Sequence, residues 1–312
     1  ENLVLIVDDN LVGTGHDHVA RAKALFRAMI RADLRKEWIG QATINIARDD
    51  ELLALAAESG CRGFFIGFES PRPEGLKEIC GKVKRGSLVE AREAVGRIQA
   101  HGIMVAGSFI IGLDDDGPGI GRLIADTAQG YGLDLVNVLF LTPLPGTRLW
   151  DEMTARDRIE FDGFPEDWRY FTLKYPVAHY KGLTPREATR EMISCSRRFY
   201  TLPKILRRYA RGRRDGCHAL MGLVGGLSYR RNIRKDLLSF RAFLSCRARQ
   251  HPADVERLEW EAGDRQSSSA PPVRASVAGA QEPREARSRH ISDPAGHRRV
   301  QKSPGGQVAE KP

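Results

Sequence analysis

Two adjacent carboxylates and an amide, Asp8-Asp9-Asn10, close the first apolar run of the sequence. Later runs close at Gly67-Phe68-Glu69-Ser70, at Gly112-Leu113-Asp114-Asp115-Asp116 and at Leu141-Thr142-Pro143. Each ending concentrates hydrogen-bond acceptors in one turn. One member of Asp8-Asp9-Asn10 could simply cap the next helix, but two adjacent carboxylates exceed what a cap needs. Glu69 reads either as a surface ion pair or as a charge directed at the face where strand ends meet. Asp114, Asp115 and Asp116 are read as the start of the next helix, where negative charge suits the helix dipole. His16 and His18 flank a helix start and are read as ordinary polar residues, so no metal site is expected. No Ser-His-Asp motif, P-loop or GxGxxG fingerprint is present.

The elements that must position these residues alternate along the chain. Residues 2–7 (NLVLIV) are an unbroken apolar run, which suits a strand buried on both faces. A helix is expected over 18–34, a strand over 38–46, a helix from Asp49 or Asp50 to Gly60, and a strand over 62–68. Helical pieces near 73–79 and 87–101 follow. Ser87 and Glu90 fit a capping box for the second, and Gly102 fits its C-terminal stop. Strands at 103–111 and 133–141 flank a helix that ends at Gly130. The polar ends recur at the spacing of one βα unit, and right-handed crossovers make such a sheet parallel. Ligands of parallel α/β sheets bind at the carboxyl ends of the strands, where these residues sit. Periodicity leaves an open sheet and part of a barrel as alternatives.

After Asp151 the pattern changes. Residues 161–180 are aromatic and irregular. Thr184-Pro185-Arg186-Glu187 is a capping box with proline at the first helical position, so a helix runs from there to about Tyr200. Basic helical sequence continues to about Trp260. Residues 197–249 hold 15 Lys/Arg against only Asp215 and Asp236. The whole chain carries +9, so the remainder is net negative. Arg207, Arg208, Arg211, Arg213 and Arg214 could meet phosphate in nucleic acid or at a membrane surface. A helical appendage is the plainer reading, and no defined nucleic-acid module is seen. Residues 262–312 read as a disordered tail. No stretch reaches the length of a transmembrane helix. The five cysteines, at 61, 80, 195, 217 and 246, are spaced as free thiols, which suits a reducing, cytoplasmic setting. Cys61 in particular is expected to be a buried small hydrophobe.

Taken together, Val7-Asp8-Asp9-Asn10, Gly67-Phe68-Glu69-Ser70, Phe109-Ile110-Ile111-Gly112-Leu113-Asp114 and Leu141-Thr142-Pro143-Leu144-Pro145-Gly146-Thr147 resemble the radical S-adenosylmethionine superfamily. The group resembled is the one with a cobalamin-binding domain. The resemblance implies an α/β fold, a partial (β/α)6 TIM-like barrel of which this chain supplies strands two to six. It divides the chain into a barrel part over 1–150, a mainly helical extension over 151–261, and the tail. It implies an S-adenosylmethionine site at Asp8, Asp9, Asn10, Gln41, Glu69, Ser70, Ile110, Gly112, Leu141, Thr142 and Pro143. Asp8 and Asp9 would meet the methionine amino end, and Glu69 and Ser70 the ribose and carboxylate. Ile110 to Gly112 and Leu141 to Pro143 would pack on the adenine. Ser108 and Asp115 depart from the family's GxIxGxxE pattern. A [4Fe–4S] cluster is also implied, with its CxxxCxxC ligands expected upstream of Glu1. This chain alone is therefore not expected to hold the cluster or to be active.

The intact protein would then use S-adenosylmethionine for 5′-deoxyadenosyl-radical chemistry or cobalamin-dependent methyl transfer to a small-molecule substrate. The cobalamin domain would lie in an N-terminal half. Two other readings stand beside this one. The chain could be a non-catalytic degenerate barrel serving as a partner subunit. It could also bind nucleic acid or, peripherally, a membrane through residues 197–249; nucleic acid is the less favoured.

Overall fold

The computed structural model describes residues 3–13, 15–80, 88–159, 161, 163–211 and 216–250. Ser87, part of the expected capping box, and the tail 262–312 lie outside the described residues.

The βα alternation is realised as read. Strand β1 (Leu3–Leu5) leads to helix α1 (His16–Arg31), and β2 (Glu37–Ala42) to a short turn of helix and α2 (Asp50–Glu58). Next come β3 (Cys61–Glu69), α3 (Pro73–Cys80) and α4 (Leu88–Ala100). Strand β4 (Met104–Ile111), α5 (Ile120–Tyr131), β5 (Leu135–Phe140) and α6 (Arg148–Thr154) complete the series. All neighbours pair in parallel, in the order β1-β2-β3-β4-β5. A parallel sheet in sequential order with helices around it is a half-barrel, the fold class expected. Its strand ends lie along one edge.

Local chemistry explains the boundaries. Asp49 caps α2 by accepting from the Leu52 N–H at 2.9 Å. Thr184 and Glu187 form the complete capping box of α7 (Pro185–Phe199), with Pro185 at its start. Helices α8 (Leu202–Arg211) and α9 (Gly216–Gln250) follow. Strand β2 is shorter than its alternating pattern implied, because residues 44–48 turn into a 3₁₀ helix.

One expectation fails. Residues 2–7 read as a strand buried on both faces, yet Leu3, Val4 and Leu5 are about half exposed and Val7 is 81% exposed. β1 is the edge strand, pairing only with β2. Apolar content specified a strand, but not its place in the sheet. The opposite edge is covered. The Tyr200 hydroxyl accepts from the Val136 N–H at 2.9 Å and donates to the Val136 carbonyl at 2.8 Å. The Phe140 N–H reaches the Leu173 carbonyl at 2.9 Å.

The core lies between sheet and helices. Trp38 stacks on Phe26 at 5.3 Å and meets Phe64 edge-on at 5.7 Å. Its indole N–H donates to the Ser59 carbonyl, so the burial leaves no orphan donor there. Cys61 is buried, as expected. Among the described residues, no helix is long and apolar enough to cross a membrane.

Candidate functional site

Backbone geometry fixes the ends of the central strands. Register slips between Gly67 and Glu69, so β3 finishes in an irregularity. Glu69 itself sits at φ +60, a conformation that non-glycine residues rarely adopt. Such bulges re-aim a side chain at the end of a strand. Here the Glu69 carboxylate is folded back over Gly67, and a Cβ on Gly67 would lie 2.1 Å from Oε1. Partial burial raises the Glu69 pKa above the usual carboxylate range. None of the described hydrogen bonds or ion pairs gives this carboxylate a partner. Next to it, Ser70 is buried, and its hydroxyl accepts from the Arg72 N–H at 3.1 Å.

The neighbouring end, at β4, is built by residues that sequence reasoning undervalued. Asp114, Asp115 and Asp116 do not start α5, which begins at Ile120 behind Gly119. Asp116 turns inward instead, and its Oδ2 accepts from the N–H groups of Gly112 and Leu113 at 2.9 and 3.1 Å. Burial pushes its pKa up to about 6, against the lowering effect of those two hydrogen bonds. Asp116 Oδ1 and both carboxylate oxygens of Asp115 are buried without partners among the described residues. Asp114 pairs with Arg158 at 3.2 Å and with Lys181, and its N–H donates to Glu78 at 2.8 Å. Arg72 reaches the Asp115 carbonyl at 2.8 Å.

Gly112 has φ +110, and a Cβ there would come within 2.5 Å of the Tyr180 ring. The close approach that this glycine permits is therefore taken by Tyr180. The Tyr180 hydroxyl donates to the Leu141 carbonyl at 3.1 Å, tying the ends of β4 and β5 together. Thr142 is buried and bonds back to the Phe140 carbonyl at 3.0 Å, beside buried Pro143. Ile110 and Leu141 remain partly exposed.

Pairing thus places Glu69, Ser70, Ile110, Gly112, Leu141, Thr142 and Pro143 on three adjacent strand ends. Gln41 lies on the next strand, and the Leu11 N–H donates to its carbonyl at 3.0 Å, which anchors the Asp8–Asn10 turn there. Asp8 and Asp9 are exposed, with the Asn10 N–H donating to Asp8. No described hydrogen bond or ion pair joins Asp8 or Asp9 to Glu69. Sequence reasoning missed Asp116 and Tyr180. The only signals were the triple aspartate and the aromatic stretch.

A half-buried carboxylate without a cation, next to a buried serine and partly exposed aliphatic residues, suits a ligand with adjacent hydroxyls and a flat apolar ring. S-adenosylmethionine has both, so these residues fit it. They do not provide a [4Fe–4S] site. Among the described residues, no group of three or more Cys, His, Asp or Glu could hold a metal ion. Burial raises the thiol pKa values of Cys61 and Cys195, the latter to about 12, so neither is a ready thiolate.

No family model matches the chain. The hopanoid C-2 methylase of Rhodopseudomonas palustris is 29% identical over 208 residues, covering 66% of this chain and 37% of that protein. The bacteriochlorophyllide d C-12(1)-methyltransferase of Chlorobaculum tepidum is 30% identical over 181 residues, covering 57% of this chain and 37% of that protein. The chain thus spans little more than a third of the length of these relatives. The solved radical S-adenosylmethionine methyltransferase TsrM of Kitasatospora setae, with cobalamin and a [4Fe–4S] cluster bound, overlays at a TM-score of 0.42. It is 20% identical over 50% of this chain and 31% of that one. The resemblance drawn from the strand-end motifs is borne out by these relatives, and the half-barrel is the architecture it implied.

Proposed function

We propose that this chain is the S-adenosylmethionine-binding half-barrel of a radical S-adenosylmethionine methylase acting on a small-molecule substrate. The observation that carries this reading is Glu69, a half-buried, unpartnered carboxylate held at positive φ on the strand-end edge. Glu69 would accept hydrogen bonds from the ribose hydroxyls, and Ser70 would support it. Ile110, Leu141 and Pro143 would pack against the adenine, with Gly112 and Thr142 shaping the strand ends. Asp8, Asp9, Asn10 and Gln41 would face the methionine end. When bound, the sulfonium of this cofactor supplies a transferable methyl group. Protein residues hold and orient it; the reactive chemistry belongs to the cofactor.

The same proposal assigns residues 1–150 to the cofactor half-barrel and 151–261 to an aromatic and basic, mainly helical C-terminal extension. Tyr180, Lys181 and Arg158 of that extension reach back to the β4 and β5 ends, which supports its taking part in the same site. The [4Fe–4S] cluster and cobalamin are assigned to residues outside those described, in an N-terminal half of a longer polypeptide. The short coverage of the relatives supports that assignment. Buried free thiols at Cys61 and Cys195 support a cytoplasmic setting.

Isothermal titration of the full chain with S-adenosylmethionine tests the reading. Binding should weaken about tenfold or more in Glu69→Gln, the worth of a hydrogen bond to a charged group. An affinity that Glu69→Gln leaves unchanged would remove the basis for the proposal.

A further inference from the structure

Away from the strand ends, helices α5, α7, α8 and α9 border an open, solvent-facing cavity of about 610 Å³. Arg122, Arg190, Arg197, Arg198 and Lys204 line it, and among the described residues no carboxylate does. Helical spacing produces this concentration. Arg190, Arg197 and Arg198 fall seven and eight residues apart, which puts them on one side of α7. Arg122 on α5 and Lys204 on α8 close the cluster from neighbouring helices.

The adjoining acid does not neutralise it. Asp126 is engaged by Arg198, at 2.6 Å to Nε and 3.0 Å to a terminal nitrogen, with Arg122 at 3.8 Å. The Arg198 hydrogen bond holds the Asp126 carboxyl below its usual range. Glu191, on the same helix, is occupied elsewhere by the N–H groups of Gly119 and Gly121. Arg190 and Arg197 have no partner among the described residues. The Lys204 ammonium donates to the Arg198 carbonyl at 2.7 Å, and burial lowers its pKa, with the Arg198 charge adding to the effect. Ser194 and Thr201 add hydroxyls to the lining. Guanidinium forks pair bidentately with oxyanions, phosphate among them, and the several cations and hydroxyl donors gathered here suit a group with more than one charge and three or more oxygens.

We propose that this cavity is a phosphate-binding site, separate from the strand-end edge and taking a ligand that carries at least one phosphate group. That phosphate could belong to a soluble small molecule or to a lipid headgroup. Leu202 and Leu206, 46% and 55% exposed beside Thr201 and Lys204, give the lipid source an apolar flank. The proposal is independent of the S-adenosylmethionine reading, since no strand-end residue lines the cavity.

Pyrophosphate titrated calorimetrically into the full chain, and sedimentation with phosphatidylcholine vesicles containing or lacking phosphatidic acid, distinguish the two sources. The comparison chain carries Arg190→Ala and Arg197→Ala, both on exposed side chains. A thermal melt and far-ultraviolet circular dichroism serve as controls for its fold. Saturable pyrophosphate binding that weakens about tenfold or more in the double variant supports a soluble ligand. Sedimentation that requires phosphatidic acid and is lost in the double variant supports a lipid headgroup. Binding of neither probe, or binding that the double variant leaves unchanged, overturns the proposal. If the double variant fails to fold, Arg197→Gln alone is read by the same criteria.

Discussion

The Asp116 carboxylate is 3% exposed and takes a 2.9 Å hydrogen bond from the N–H of Gly112. A buried acid thereby holds the turn that ends β4, the strand at the centre of the proposed site. Its pKa, pushed up by burial to about 6, has a consequence for stability. The native carboxyl keeps its proton to higher pH than an unfolded one, which titrates near 4. Stability should therefore fall as pH rises from about 4 to about 6, and then level off. The contribution is at most about 3 kcal/mol. Asp116→Asn keeps an acceptor oxygen and removes the titration. Urea unfolding between pH 4 and 7 should show the wild-type stability falling relative to Asp116→Asn across that window. Parallel profiles would contradict the assignment.

Gly112 and Tyr180 form a close contact that a methyl group would disrupt. Gly112→Ala combines a positive φ with a Cβ 2.5 Å from the tyrosine ring. We expect a loss of about 2 kcal/mol or more, measured by chemical denaturation. Tyr180→Ala in the same chain should relieve the steric part, giving a less-than-additive double variant. Strict additivity would show that the ring is not the obstacle.

Tyr200 closes the outer edge of β5. Tyr200→Phe leaves both the N–H and the carbonyl of Val136 without their partner inside the core. The expected cost is about 2 kcal/mol, with faster amide exchange at Val136. Unaltered exchange would show that the hydroxyl is not holding the strand.

Much of this fold was legible in the residues. Alternating helical and apolar segments located the five strands to within a few positions. Thr184 and Glu187 marked the start of α7 by their spacing alone. Glu69 was legible as a candidate site residue because a charge at the end of an apolar run needs either an ion partner or a ligand. Other features depend on contacts distant in sequence. Whether residues 2–7 were buried was decided by which strand stands at the sheet edge. That Asp116 turns inward depends on the N–H groups of Gly112 and Leu113, a local geometry that a run of three aspartates does not encode. Tyr180 meets Gly112 across 67 residues of intervening chain, a pairing that no local spacing reveals.

The central claim is that S-adenosylmethionine binds along the ends of β3, β4 and β5. Hydrogen–deuterium exchange of the full chain, with and without S-adenosylmethionine, locates the ligand directly. The account predicts slower exchange at residues 67–72, 109–113 and 140–143, with Glu69→Gln abolishing the effect at the same ligand concentration. Protection confined to other segments, or protection that survives Glu69→Gln undiminished, would contradict it.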